Sequence, residues 1–536
     1  MAEPISGTPF GLTLAVPSER EFEQALHLAV GEEVASRIAD QDPTLWGRDA
    51  EAEANMRLAW TSLPTSSRPL VEEISAFRDD LVGRGLDHVV LCGMGGSSLA
   101  PEVICRTSGV ELTVLDSSQP DMVGRALADR LERSVVVVSS KSGGTVETDS
   151  LKRAYEQTFR DADLDPGDHL VVVTDPDSPL DQEATAAGYR VFRADPDVGG
   201  RYSALTAFGL VPSGLAGAPI GELLDDAESV QAAVSGDDGD NPALRLGIAM
   251  GVAHRHGVDK LVLADQTRHG LGDWIEQLVA ESTGKQGRGI LPVVVPFENA
   301  FNFNPSTADS ILVALGGRDA PEAQSGWSAG LRGGLGAQML IWETAVAVAG
   351  RLLDINPFDQ PDVESAKKAA HELLAAGGES DEDPISGVDF VRLYDSLADD
   401  PESAVRELLA QLDLSHGYVA IQAYLDRIGL PEYAGLREVL AKRTGRPVTF
   451  GWGPRFLHST GQYHKGGPAT GVYLQLTADP VEDLDVPGQD FTFGGFIASQ
   501  AAGDATVLRD HERPVLRLHL SDVSRALPQL REVLLG

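Results

Sequence analysis

Cysteine is nearly missing from these 536 residues: only Cys92 and Cys105 occur, and Cys92 lies inside an apolar run. Two thiols so placed provide neither a disulfide framework nor a zinc site of paired cysteines, so both are expected to be buried and inert. No stretch approaches the roughly eighteen uninterrupted apolar residues of a membrane span, and residues 1–16 lack a basic segment followed by a long apolar one. The expectation is a cytoplasmic chain without a membrane partner. Basic residues are scarce too, with 43 Lys and Arg against 81 Asp and Glu and a formal net charge of −38. A surface of that sign repels polyanions and anionic lipid, which argues against nucleic acid as a partner. It does not exclude a small phosphate, because helix N-termini and a few cations dominate at contact distance while distant charges are screened within about 8–10 Å.

What is present is enough apolar material, 42% of the chain, for two or three cores. Residues 1–80 read as a helical segment, with Phe22, Ala25, Leu26 and Ala29, and again Met56, Leu58 and Ala59, at helical spacing. From His88 the pattern changes to short β-branched runs at 89–92, 112–115, 135–138, 170–173 and 189–192, separated by helix-sized intervals. Continuous apolar runs of this kind suit a parallel sheet covered on both faces, here an α/β domain over 81–235. The polar stretch 235–242 reads as a linker. A second α/β domain is expected over 243–378, with strands at 260–264, 291–295 and 311–314 and a long helix at 334–353. After the acidic loop 378–384, residues 385–536 read as a mixed α+β domain, with helices near 401–414 and 432–442 and strand-like runs at 472–476, 491–496 and 515–520.

Two glycine-rich turns carry the first chemical signals. Gly93-Met94-Gly95-Gly96-Ser97-Ser98-Leu99 follows one strand and opens a helix, so its backbone can approach a ligand and its N–H groups face an anion. Such loops also occur as plain turns or dinucleotide loops. Ser139-Ser140-Lys141-Ser142-Gly143-Gly144-Thr145-Val146-Glu147-Thr148 is denser in donors, and its hydroxyls at Ser140, Ser142, Thr145 and Thr148 suit a phosphate monoester. It lacks the closing Gly-Lys-Ser/Thr of a nucleotide P-loop, which favours a sugar phosphate over ATP. Thr145 and Thr148 could equally serve as helix caps. A third segment, Asp273 to Lys285, reads as a helix with Asp273 as N-cap, Gly284 as stop, and Ile275, Leu278 and Val279 on its buried face. Gln277 and Glu281 then share the opposite face and can point into a cleft.

The two loops, taken with Gly199-Gly200-Arg201-Tyr202-Ser203 and in this order, resemble the phosphate-loop and GGR-aromatic-Ser motifs of glucose-6-phosphate isomerases. The run EQLVAESTGK around Glu281 resembles that family's catalytic-glutamate motif, NPFDQPDVESAK at 356–367 resembles its NPFDQPGVE motif, and LHSTGQ at 457–462 its LHS-x-GQ motif. The resemblance implies two sugar-isomerase-type, flavodoxin-like parallel-sheet domains and an aldose-ketose isomerase that uses neither metal nor cofactor. Glu281 would be the base, Arg201 the stabiliser of an enediolate, and His458 with Lys367 the ring-opening groups. Gly95, Gly96, Ser97, Ser140, Lys141, Ser142, Thr145, Thr148 and Gln277 would bind substrate.

One departure is plain, because most stand-alone isomerases of the family place the histidine motif between the glutamate and lysine motifs, whereas the order here is Glu281, Lys367, His458. This order resembles the isomerase half of bifunctional transaldolase/glucose-6-phosphate isomerases. The chain is short for a complete transaldolase barrel ahead of the sheet domain, so isomerase activity alone is expected. The resemblance also carries a homodimer, and leaves open whether His458 acts within its own chain or across subunits. A phosphoglucose/phosphomannose isomerase and a non-catalytic sugar-phosphate-binding protein share the scaffold. A sensor needs no base, which disfavours the second.

Overall fold

The computed structural model describes residues 9–303, 307–317, 319–362, 386–394, 398 and 400–536. Three sheets organise them. The first runs Thr113–Leu115, His88–Gly93, Ser134–Ser139, Leu170–Thr174, Arg190–Arg193 in space, with every pair parallel. Val135, Val136, Val137 and Val138 are all at most 1% exposed, as continuous valine runs demand when helices cover both faces. The first and third strands in sequence lie side by side, so the chain winds outward in both directions from Gly93 and Ser139. In a doubly wound sheet a ligand crevice opens at that reversal, beyond the carboxyl ends of the strands. Both glycine-rich turns begin there.

The second sheet runs Gly11–Ala15, Ser328–Arg332, Ser310–Leu315, Lys260–Asp265, Leu291–Val295, parallel except for the first strand. The N-terminal segment, expected to be helical, thus supplies an edge strand to a sheet built some 300 residues later. Its pentapeptide GLTLA has no local signal for that partner. Residues 236–241 form a turn between the helices Ile220–Ser235 and Pro242–Arg255, and Asp237 Oδ1 accepts the N–H groups of Ala35 (2.9 Å) and Ser36 (3.2 Å). The long helix Leu335–Leu352 packs against both of these helices and is buried over nearly its whole surface.

The third sheet is mixed: Ser386–Val388, Val391–Leu393, Val515–Leu520, Gly471–Ala478, Tyr418–Tyr424, Val448–Trp452, with the last four strands parallel. The strand-like run 491–496 is instead the start of the helix Phe493–Asp510. Thr492 caps it by accepting the Gly495 N–H at 2.9 Å, so a local capping bond overrides the aromatic content of the run. This third unit is pinned to the first by an ionic cluster. Arg427 meets Asp116 (2.9 Å) and Glu102 (3.1 Å), and Arg455 meets Glu102 (2.6 Å) and Asp116. Burial pushes the Glu102 carboxyl up, but Arg427, Arg455 and Arg106 outweigh it and hold the group well below the usual carboxylate range. Arg446 binds Asp309 of the second unit at 2.6 Å, and Asn302 pairs with both backbone groups of Val448. Both cysteines are buried and free. Among the described residues, no helix is long and apolar enough to cross a membrane.

Candidate active site

The Gly95-Gly96 turn is where the three units meet. Gly95 has φ +56, and a β-carbon there would lie 2.9 Å from Gln277 Nε2 and 3.1 Å from His458 Cβ. At Gly96 the same atom would stand 1.9 Å from the Gly200 carbonyl oxygen. Only bare backbone lets the first glycine loop touch the GGR loop, so Gly96→Ala must force the two apart. The expected result is a loss of kcat/KM of about 100-fold, since misplacements near 1 Å cost that much. Steady-state kinetics beside a thermal melt checks it, and wild-type kinetics in the variant would show that the contact does not matter.

Glu281 sits in the last turn of the helix Leu271–Thr283, 4% exposed, and Gln277 one turn earlier is 3% exposed. The helix begins one turn earlier than expected: its N-cap is Gly270, at φ +88, and Asp273 falls in the first turn. Gly284 ends it as expected. Both polar side chains are enclosed because the GGR loop and the third unit cover the face opposite Ile275, Leu278 and Val279. Gln277 Nε2 donates to the His458 carbonyl at 2.9 Å and lies 3.5 Å from Glu281 Oε1. The same amide therefore spans the carboxylate and the histidine loop.

Arg201, 4% exposed, lies with Nη1 3.6 Å from Glu281 Oε2. Its Nε donates to Ser282 Oγ (2.9 Å), Nη1 to Gln360 Oε1 (2.8 Å), and Nη2 to the carbonyls of Pro357 (2.6 Å) and Asp359 (3.0 Å). A guanidinium anchored so completely holds its charge in one place. Ser282, next to the glutamate, also contacts Tyr202 Oη at 3.3 Å, and the Tyr202 ring stacks on Trp60.

His458 arrives from the third unit on the turn Arg455–His458, three residues after the arginine of the ionic cluster. Its Nε2 donates to Glu147 Oε1 at 3.2 Å, and Glu147 also accepts from Gln500 Nε2 at 2.7 Å. Gln500 in turn accepts from Ser118 Oγ at 2.6 Å. A carboxylate on Nε2 favours the tautomer protonated there and leaves Nδ1 as the basic nitrogen. Glu147 and Gln500 were not singled out from sequence. Glu147 stands inside the hydroxyl-rich loop, but nothing local tells that it turns toward a histidine 311 residues away.

In that loop Ser140 Oγ accepts the Gly143 N–H (3.2 Å) and reaches Thr145 Oγ1 (3.4 Å), and Ser142 Oγ accepts the Gly144 N–H (3.3 Å). Thr145 is the N-cap residue of the helix Val146–Asp161, without a side-chain capping bond. Thr148 Oγ1 is buried and meets no protein partner, so an acceptor from outside the protein would satisfy it. Ser97, half-buried, has its Cβ 3.1 Å from the β-carbon position of Gly93. Lys141 Nζ is held by Asp175 Oδ2 (2.7 Å) and the Pro196 carbonyl (3.1 Å). Lys367 lies outside the described residues. The segment leading toward it is anchored, since Gln462 Nε2 donates to Asp362 Oδ2 at 2.6 Å and Gln462 Oε1 accepts the Asp362 N–H at 3.0 Å.

These elements coincide with a known family. The Phosphoglucose isomerase family model matches residues 58–289, which hold both glycine-rich turns, the GGR loop and the Glu281 helix. A glucose-6-phosphate isomerase of Cyanothece sp. is 30% identical over 348 residues, 54% of this chain and 66% of that protein. Another, from Geobacter sulfurreducens, is 28% identical over 436 residues, 68% of this chain and 80% of that one. The chain belongs to the phosphoglucose isomerase family. A glucose-6-phosphate isomerase structure from Chlamydia trachomatis superposes with a TM-score of 0.55 at 19% identity, covering 69% of this chain and 89% of that one, which shows the shared fold. The phosphoglucose isomerase match ends before Asn356 and His458, so the placement of these two segments rests on the contacts given above.

Proposed function

We propose that this chain interconverts glucose 6-phosphate and fructose 6-phosphate by opening the ring and moving one proton between carbons 2 and 1. The observation that carries this reading is the enclosed pair of Glu281 and Arg201, 3.6 Å apart, tied through Gln277 to the histidine loop. A carboxylate beside a fixed guanidinium suits abstraction of a proton α to a carbonyl, with the positive charge waiting where the enediolate oxygen forms. One such well-aimed donor contributes on the order of 3 kcal/mol to the transition state. His458, through Nδ1, exchanges a proton with the ring oxygen, and Lys367 is assigned to the same step on the resemblance alone. Ser140, Ser142, Thr145 and the unpartnered Thr148 hydroxyl receive the phosphate, while Gly95, Gly96 and Ser97 border the sugar. Holding the distant phosphate orients the reacting carbons. The reaction is redox-neutral, so it calls for no nicotinamide.

Purified chain incubated with fructose 6-phosphate and a coupled glucose-6-phosphate dehydrogenase assay tests the reading. Steady turnover is expected, and its absence from folded protein would sink the assignment. Mannose 6-phosphate in place of fructose 6-phosphate is expected to give little product, and comparable rates would identify a dual-specificity isomerase.

A further inference from the structure

Lys285 stands four residues after Glu281 and is 1% exposed, yet the mechanism above gives it no part. Its Nζ donates to the carbonyl of Asn356 at 2.8 Å, to the carbonyl of Asp359 at 2.5 Å, and to Asp359 Oδ1 at 2.7 Å. An ammonium has three protons to give, and here three acceptors receive them. The Asp359 carbonyl is the same oxygen that accepts from Arg201 Nη2, and Pro357, between the two lysine-bound residues, supplies the other carbonyl under that nitrogen. Two cations therefore grip one short loop.

We propose that Lys285 is a positioning residue for the isomerisation, an ammonium clamp that fixes the 356–359 loop and through it the guanidinium of Arg201 beside Glu281. This rests on the isomerase reading of the site. The clamp depends on charge state. A neutral amine keeps two protons and turns a lone pair toward the third acceptor, so one contact becomes repulsive and the loop loosens. Burial pushes the Lys285 ammonium down, the neighbouring Arg201 adds to this, and Asp359 and Glu281 pull partly back, leaving it at about 8. These three groups face Nζ from the GGR loop, the loop 356–359 and the Glu281 helix. The lysine is thus charged below pH 8 and neutral above it, and kcat is expected to fall along an alkaline limb centred near that value. KM is expected to change little, because the phosphate loop is built on the first sheet.

Glu276, on the same helix, is raised to about 8 by burial and by Asp273, so it titrates over the same interval. The experiment has to separate the two. Asp359→Asn removes the negative charge that supports the Lys285 ammonium at a side chain 40% exposed, where folding is little threatened. The kcat limb is expected to move roughly 0.5–1 unit toward acid in this variant. In Glu276→Gln the limb is expected to stay in place. In Lys285→Met it is expected to vanish, with kcat reduced at every pH, and melts of each variant report whether it has folded. A limb that stays put in Asp359→Asn, or that disappears in Glu276→Gln, would overturn the clamp while leaving the isomerase assignment intact. Absence of isomerase turnover in the wild type would remove the assignment itself.

Discussion

Glu281→Gln is expected to lower kcat by about 10³–10⁴-fold with little change in KM. Glutamine has the same shape, so the amide can still lie beside Gln277 and Arg201 and the helix end stays packed. What it loses is the lone pair able to take a proton from carbon 2. The phosphate and the hydroxyls of the sugar are held by other residues, which is why binding survives. Steady-state kinetics with fructose 6-phosphate, alongside solvent deuterium exchange into carbon 2 of glucose 6-phosphate, measure both turnover and the proton transfer itself. Loss of exchange with retained binding supports the assignment. Unchanged turnover would exclude Glu281 as the base. Glu276→Gln on the same helix makes a control, because it changes a carboxyl five positions away that faces the cavity lined by Asp273, Arg437 and Arg455.

The first sheet was readable because its valine runs are buried on both faces and need no partner information to be recognised. The strand Tyr418–Tyr424 has the same property, with all seven residues of its run YVAIQAY buried, and is legible on the same ground. The strands Gly11–Ala15 and Ser328–Arg332 are different in kind. Each is short and half polar or glycine-containing, and the first is a strand only through its pairing with the second, which itself pairs with Ser310–Leu315. The site shows a similar division. Glu281, Gln277 and Arg201 could be named because each stands in a run whose neighbours carry the motif, and helical spacing put the first two on one face. Glu147 and Lys285 stood inside quoted runs and still went unassigned, since what they do depends on loops more than seventy residues away. Lys141 shows the opposite limit. Its position in the hydroxyl-rich loop suggests an anion contact, and nothing local tells that Asp175 reaches the same ammonium from the end of the next strand. The strongly negative composition misleads in neither direction, because the cations in the site, Arg201 and Lys285, are enclosed and act over contact distances.

His458→Ala is expected to reduce turnover of cyclic glucose 6-phosphate by about 10²–10⁴-fold, the usual worth of a positioned acid-base group. The histidine motif comes after the NPFDQP segment in this chain, and contacts from three elements place its side chain. Its Nε2 meets Glu147 at 3.2 Å, its carbonyl meets Gln277 at 2.9 Å, and Gln500 from the same unit reaches both Glu147 and Ser118. Arg455, three residues upstream, is buried against Glu102 and Asp116 of the first unit, and removing one member of such a cluster costs about 3–5 kcal/mol. Taken within one chain, these contacts hold the histidine at the cleft. Mixing the inactive Glu281→Gln and His458→Ala chains, with or without refolding together, is accordingly expected to restore no activity, because every site in the mixture carries one defect. Recovery of a quarter or so of wild-type turnover would mean that the third unit exchanges between chains, and that His458 completes the site of a neighbour.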